Sequence, residues 1–149
     1  MASTAAACRR QPAMRIPHRV LTVSGFHHLA LKARRPGPLA SFYRDVFGLE
    51  ERARHVDEEG LRSVWLALED GLLMVERADR DDPPPPFEAA PSGWHLLAFR
   101  INLQDRARWA SRLAELGHPM VSETSYSMYF TDPEGHRFAL SHYPAASPL

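Results

Sequence analysis

Several features that define familiar classes of protein are missing from this sequence of 149 residues. Its single cysteine, Cys8, allows no disulfide within one chain, which fits a reducing compartment such as the cytoplasm. The 18 basic and 18 acidic residues cancel, so charge gives no reason to expect binding to nucleic acid or to an anionic membrane. No apolar run approaches the roughly 20 residues of a membrane-spanning helix. With 44% hydrophobic residues, the chain is expected to form one globular domain.

Acidic residues are also missing from the N-terminal part of the chain, where the first is Asp45. Residues 1–24 carry four arginines together with alanine and serine, a composition typical of an organellar transit peptide. A disordered extension, or a start site nearer Met14, also explains this composition, and short basic tails are common. We favour these simpler explanations. The folded domain is therefore expected to occupy residues 25–143, and residues 144–149 to form a tail.

The first half of this domain has the apolar pattern of a strand, a helix and three further strands. Residues 26–33 have the length and alternation of a strand, and Pro36-Gly37-Pro38 is expected to end it. The next apolar residues recur at helical spacing as far as Gly48, a residue typical of a helix end. These residues are Leu39, Phe42, Tyr43, Val46 and Phe47. Turns at residues 58–60 and 70–71 then separate three strands, the last ending at Glu76.

Residues 94–143 repeat this order after a linker at residues 79–93, where four consecutive prolines predict an extended segment. A strand at 94–101, a helix at 105–116 and strands at 119–122, 125–131 and 136–143 are predicted. Each half is too small to be stable alone. The sequence thus predicts an α+β fold of two tandem βαβββ modules, residues 25–78 and 94–143, that form a curved mixed-sheet cleft for a small-molecule ligand.

Two motifs at opposite ends of this duplicated pattern resemble one known superfamily. The first is HHLAL at residues 27–31 followed by SFYRDVFGL at residues 41–49, and the second is YFTDPEG at residues 129–135. They resemble motifs of the glyoxalase/bleomycin-resistance/dioxygenase (vicinal oxygen chelate, VOC) superfamily over residues 25–143. The resemblance implies the two-module fold, a cleft for a small molecule and, in many members, a divalent metal that binds two vicinal substrate oxygens.

The resemblance implies metal ligands at four positions, which this sequence fills incompletely. His28 stands where the superfamily has the histidine of the first strand. In the second module Leu96 takes the matching position, and His95 would point away from the cleft on a regular strand unless a β-bulge intervened. Ala139 occupies the position of the superfamily's glutamate on the last strand. Glu76, two residues beyond the glyoxalase-type glutamate position, is the remaining candidate.

Other polar residues are expected on the cleft face, where they would contact a ligand. Lys32 and Arg100 share a strand face with the positions that match the metal histidines, so they could hold a carboxylate or phosphate. Outward-facing charges at the strand ends are the alternative interpretation. Tyr129 and Ser141 are also expected on the cleft face.

The remaining histidines and tryptophans have simpler structural interpretations. His27 and His95 are expected to be half-buried and to face the helix layer. Three histidines are expected in loops or at the surface, and three tryptophans in the core. These are His55, His118 and His136, and Trp65, Trp94 and Trp109. If Glu76 is no metal ligand, it is expected to be an exposed carboxylate paired with Arg77 or Arg100.

Two classes of function remain open at this point. Because alanine cannot bind a metal, Ala139 favours a protein that binds a small molecule without the standard metal site and without a cofactor. The alternative is a lyase, isomerase or extradiol-type dioxygenase that uses Fe, Mn, Ni or Zn bound by His28, Glu76 and His95. A metal-free enzyme with His28 as general base is a third candidate. The resemblance also implies a homodimer.

Overall fold

The computed structural model describes residues 21–145, and the structural statements below refer to this part of the chain. Module one contains β1 (His28–Ala33), α1 (Pro36–Phe47), β2 (Glu51–Asp57), β3 (Gly60–Leu68) and β4 (Gly71–Arg77). Module two contains β5 (Leu97–Arg100), a 3₁₀ turn (Leu103–Asp105), α2 (Arg106–Glu115), β6 (Ser122–Glu123), β7 (Ser127–Thr131) and β8 (Arg137–Ser141). This order confirms the predicted tandem βαβββ arrangement. Cys8 and the rest of residues 1–20, and residues 146–149, lie outside the described residues.

Each module forms its own four-stranded mixed sheet. Sheet one has the strand order β1-β4-β3-β2, and sheet two has the equivalent order β5-β8-β7-β6. In each sheet the first strand runs parallel to the last, while the remaining pairs are antiparallel. Strands β1 and β5 are therefore edge strands. No helix of residues 21–145 is both long and apolar enough to cross a membrane.

Each sheet has one face that packs against the helices and a second face, here called the open face, that does not. On β1 the alternate residues Leu29, Leu31 and Ala33 belong to the core. Exposed side chains on the open face of β1 are His28, Ala30 and Lys32. On β8 the core residues are Phe138 and Leu140. The period of two along each strand thus decides which residues can form a binding surface.

Helix α1 begins earlier than the sequence pattern predicts. Pro36, expected to break the chain, is instead its first residue, because the first turn of a helix needs no backbone N–H donor. Its end at Gly48 is as predicted, with a left-handed φ of 69°. The backbone N–H groups of Arg34 and Arg35 each donate to a carboxylate oxygen of Glu134 at 2.8 Å. A carboxylate from module two thus stabilises the positive end of a helix in module one.

An aromatic cluster between the sheets joins the two modules into one body. Phe47 of α1 stacks on Phe99 of β5 with 4.7 Å between ring centroids, and its ring lies 5.6 Å from that of Trp109. Phe42, also on α1, packs 6.1 Å from Phe138 of β8. Helix α1 therefore contributes to the cores of both sheets. Since the helix-facing sides share this core, the open faces of both sheets point away from it.

The Asp-Pro-Glu-Gly turn contains a buried carboxylate that fixes this arrangement. Asp132 accepts a hydrogen bond from the Tyr43 hydroxyl at 2.8 Å and from the backbone N–H groups of Glu134 and His136 at 2.9 Å each. The Nδ1 atom of His136 lies 2.9 Å from the second Asp132 oxygen. His136 lies in a loop, as expected, and the turn holds it partly buried beside this carboxylate. The turn is thus bonded to α1 rather than exposed.

We predict that Tyr43→Phe lowers the free energy of unfolding by about 1–3 kcal/mol, because Asp132 is buried and loses one of its donors. Burial, followed by the nearby charge of Asp132, raises the pKa of Tyr43 well above its usual range. Since unfolded tyrosine ionises near pH about 10, stability from this group is complete below that pH and decreases above it. The variant should lack this alkaline decrease.

Urea unfolding at several pH values measures both effects. Tyr126→Phe is the matched control, because Tyr126 is exposed and makes no hydroxyl hydrogen bond among residues 21–145. Equal stability of Tyr43→Phe and the control variant would contradict the role given to this bond.

Candidate functional site

The open face of sheet two carries a pocket of about 490 Å³. Its walls are formed by strands β5, β7 and β8, by the segment before β5, by Ser122 and by one residue of the proline-rich linker. The lining residues are Phe87, His95, Leu96, Ala98, Ser122, Ser127, Tyr129, Ala139 and Ser141. The sequence predicted a cleft shared by both modules, but this pocket is lined only by sheet two, its connections and the linker.

The floor of this pocket is made of small side chains placed next to one another by the strand register. Ala98 of β5 pairs with Ala139 of β8, which in turn pairs with Tyr129 of β7. The Ser127 hydroxyl donates to the Ser141 hydroxyl at 3.0 Å. A hydroxyl-bearing strip, which includes Tyr129 and Ser141, thus lies beside an apolar floor. Among the lining residues there is no carboxylate, lysine or arginine.

The position of His95 differs from the expected one. Strand β5 begins only at Leu97, so His95 precedes the strand and the alternation of a regular strand does not apply to it. Its exposed side chain borders the pocket together with Leu96, and the expectation that it faces the helix layer is wrong. His27 likewise precedes β1 and is exposed, with its Nδ1 2.9 Å from the Nδ1 of His28.

The open face of sheet one carries a different set of side chains. The register places Ala30 beside Met74, and Met74 beside Trp65. The Trp65 indole N–H is buried and has no hydrogen-bond partner among the described residues. The ring of His55 packs 4.7 Å from the ring of Trp65. His28, the predicted metal ligand, lies on this face and not in the pocket of sheet two.

Lys32, Glu76, Arg77 and Asp57 of sheet one form ion pairs within this sheet and its connections. Lys32 lies 3.7 Å from Glu76 and 4.0 Å from Asp79, so it is no free cation for a ligand. The expectation that Glu76 pairs with Arg77 or Arg100 is wrong, because the parallel register of β1 and β4 places Lys32 directly beside it. Arg77 instead donates to Asp57 at 2.6 Å, and this hydrogen bond lowers the pKa of the Asp57 carboxyl.

Two further expectations about individual side chains need correction. Lys32 and Arg100 lie on different sheets and border different pockets, so the structure does not bring these two cations together. Trp94 was expected in the core but is 95% exposed, since it precedes β5 at the edge of sheet two. His118 lies in the loop after α2, as expected, and its Nδ1 lies 3.0 Å from the Thr131 carbonyl oxygen.

The residues that the superfamily's metal site would require do not fit a metal here. Among residues 21–145, no group of three or more His, Cys, Asp or Glu side chains is placed to hold an ion. The pocket of sheet two contains His95 but has Ala139 where a carboxylate would be needed. Glu76 is paired with Lys32 on the other sheet. A divalent transition metal usually needs three protein ligands, and this donor set is too small.

Two βαβββ modules, each with a four-stranded mixed sheet and a helix on one side, define a class of tandem-module cleft proteins. A profile of the Glyoxalase/Bleomycin resistance protein/Dioxygenase superfamily matches residues 25–140. The chain therefore belongs to this superfamily, as its motifs and its topology predict.

Relatives with named activities occur at low sequence identity. Metallothiol transferase FosB of Bacillus licheniformis is 25% identical over 129 residues, which cover 79% of this chain and 75% of that protein. A variant of the fosfomycin resistance protein FosX from Listeria monocytogenes, in complex with Mn(II) and 1S,2S-dihydroxypropylphosphonic acid, is 21% identical with a TM-score of 0.66. That match covers 80% of this chain and 93% of FosX.

A glyoxalase/dioxygenase from Nostoc punctiforme gives a TM-score of 0.67 at 21% identity, over 85% of this chain and all of that one. At such identities the solved structures establish the fold alone. The chemistry of the site depends on the residues that this chain itself provides.

Phe87 is one of the pocket residues that sequence reasoning missed, together with Ala98, Ser122 and Ser127. The predicted linker was treated only as a connection between modules, whereas the structure places its aromatic residue in the lining. One signal was available, because Phe87 is the only aromatic residue between positions 79 and 93. An apolar side chain directly after four prolines indicates a segment held against a surface.

Proposed function

We propose that this protein binds an organic small molecule on the open face of sheet two, without the metal site typical of the superfamily. The observation that carries this proposal is the pocket itself, which combines an apolar floor at Ala98 and Ala139 with the hydroxyl groups of Ser127, Tyr129 and Ser141. A concave surface with a few placed polar groups is the usual form of a small-molecule site. A binding or sequestering role needs no further chemistry from the chain.

A variant that fills the pocket tests this role. We predict that Ala98→Phe weakens the binding of fragments found by ligand-observed NMR at least about tenfold, because Ala98 is exposed on the pocket floor. Ala107→Phe, an equivalent change at an exposed position of α2, should leave binding unchanged. Fragments that bind both variants as tightly as the unchanged protein would place the ligand elsewhere and would refute this site.

A metal-dependent enzyme is the second candidate function. It is favoured by the relation to a metallothiol transferase and by the Mn(II) complex of FosX. In this chain it would need His28, His95 and Glu76, with the carboxylate freed from Lys32. A lyase, isomerase or extradiol-type dioxygenase reaction would then be the class of activity to assay.

Metal content separates the two candidates. For untagged protein purified without chelators, we predict far less than one equivalent of Mn, Fe, Co, Ni or Zn by plasma mass spectrometry. We also expect no rise in melting temperature on adding these ions, because binding to the folded state alone would raise it by several degrees. Ala139→Glu is the comparison variant, because it adds a carboxylate to the pocket that His95 also lines. One metal per chain that is lost in His28→Ala would instead favour the metal-dependent enzyme.

We further propose that two copies of the chain complete the binding cleft. The pocket on sheet two is open on one side, and the open face of sheet one carries the partly apolar surface around Ala30, Met74 and Trp65. Edge strands β1 and β5 have no neighbour beyond them among residues 21–145. Apolar groups next to these edges, Phe26 and Trp94, are exposed by 57% and 95%. A second copy that covers them would supply the missing wall.

Sedimentation analysis tests this assembly. We predict a homodimer, and we predict that Trp94→Ser raises its dissociation constant by roughly tenfold or more, since large aromatic side chains dominate such contacts. Val56→Ser is the matched control. Val56 is also an exposed apolar residue, but it lies on β2, at the edge of sheet one opposite β1. A monomer at all concentrations, or equal effects of both variants, would exclude the proposed interface.

A further inference from the structure

We propose that the linker at residues 79–93 is a fixed wall of the pocket, in which Arg137 is the positioning residue and Phe87 contacts the ligand. We propose further that this wall selects an uncharged compound that contains a ring. The inference rests on the proposed binding role of sheet two, and it names the class of ligand for that site.

Arg137 holds the linker through its backbone. Its guanidinium group donates to the carbonyl oxygen of Pro86 at 2.5 Å, to that of Phe87 at 3.0 and 3.2 Å, and to that of Ala89. The Ala89 N–H in turn donates to the Pro86 carbonyl at 3.0 Å, which closes a turn around the guanidinium. Nη2 lies within hydrogen-bond distance of all three carbonyl oxygens and Nε also reaches that of Phe87, so the guanidinium group lies at the centre of this turn.

Arg137 forms no ion pair among the described residues. In residues 21–145 no carboxylate lies within ion-pair distance of it, whereas most arginines of module one pair with acidic residues. Arg137 is the first residue of β8, and alternation places it on the same face as Ala139 and Ser141, which line the pocket. Its hydrogen bonds therefore draw the linker onto the open face at the end of the pocket.

The hydrogen bonds from Arg137 to the linker carbonyl groups are here called the clamp, and Phe87 lies within the turn that they hold. Its ring centroid lies 5.5 Å from the guanidinium carbon of Arg137, a cation–π distance, and the residue is half-buried. It is the one lining residue of the pocket that does not come from module two. Phe87 of the linker thus forms this wall, and Arg137 of sheet two positions it.

A second contact limits the movement of the linker. Pro84 packs against Gly135 in the turn before β8, where a Cβ atom would come within 3.3 Å of the proline ring. Gly135 also has a φ of 91°, which favours glycine. Because the four prolines have few backbone conformations, ordering this segment costs little entropy. A wall ordered before binding favours tighter ligand binding.

The lining residues then define the chemistry of the ligand. Ala98, Ala139 and Leu96 offer apolar contact, and hydroxyl groups are available at Ser127 and Tyr129. No arginine or lysine belongs to the lining, so a carboxylate or phosphate would have only His95 of this chain as a cationic partner there. A ring that packs on Phe87 and carries a hydroxyl or carbonyl group satisfies both kinds of surface.

Cleavage by the glutamate-specific protease GluC after Glu88 tests the clamp without any ligand. We expect slow cleavage of the unchanged protein at this exposed residue, and cleavage roughly fivefold or more faster in Arg137→Gln, because the released linker fits a protease site more often. Arg108→Gln is the control, since Arg108 is exposed on α2 and, among residues 21–145, forms an ion pair with Asp105 alone. Equal cleavage rates in a folded Arg137→Gln protein, checked by its melting temperature, would overturn the clamp.

Fluorescence titration with 2-naphthol, an uncharged two-ring probe, tests the ligand class. We expect Phe87→Ala to raise the dissociation constant roughly 2- to 10-fold, the range for one aromatic contact. The variant changes a linker side chain outside both cores, so folding should be unaffected. No binding of 2-naphthol by the unchanged protein, or equal binding by Phe87→Ala, would overturn the assignment of the ligand.

The two failures are distinguishable from failure of the binding role itself. Suppose that 2-naphthol does not bind, but that charged fragments bind the unchanged protein and bind Ala98→Phe more weakly. The site then stands, and the ligand class proposed here is wrong. If cleavage after Glu88 responds to Arg137→Gln while no fragment binds, the clamp is only structural, and the proposed function falls with the ligand assignment.

Discussion

The hydrogen bond between Tyr43 and Asp132 is the constraint on which the arrangement of the two modules depends. Asp132 is buried, so its carboxylate needs several donors, and it takes one from α1 and others from its own turn. The same turn places Glu134 at the start of α1. Module one therefore cannot shift along sheet two without removing one donor from this buried carboxylate. This fixes the shared aromatic core, and with it the outward direction of both open faces.

That direction has a consequence for function. Since the helix-facing sides of the sheets meet in one core, a single chain presents two separate open faces rather than one enclosed cleft. Sheet two has a pocket floored by alanines and bordered by hydroxyl groups, while on sheet one Lys32 pairs with Glu76 and Asp79. In a superfamily defined by metal-bound vicinal oxygens, this distribution favours binding through shape and neutral hydrogen bonds. The linker connects the modules and also contributes an aromatic residue, Phe87, to the pocket lining.

Much of this fold was predictable because its signals are local. The duplicated order of elements, the helix end at Gly48 and the linker position all follow from apolar periodicity, glycine and proline. The alanine at position 139 could be assigned to the site by motif alone. The positions of Trp94 and His95 could not, because both depend on where β5 starts, and strand ends are decided by pairing with β8 rather than by the residues themselves.

The sequence by itself determined the superfamily, the two βαβββ modules and the absence of a carboxylate at position 139, since each is written in the type and spacing of nearby residues. Tertiary structure alone decided that Lys32 neutralises Glu76, that Asp132 accepts a bond from Tyr43, and that Arg137 directs Phe87 into the pocket. Those partners lie 44 to 89 positions apart along the chain. No local pattern encodes such a contact, because it arises only when the packing of both cores fixes the register of distant strands.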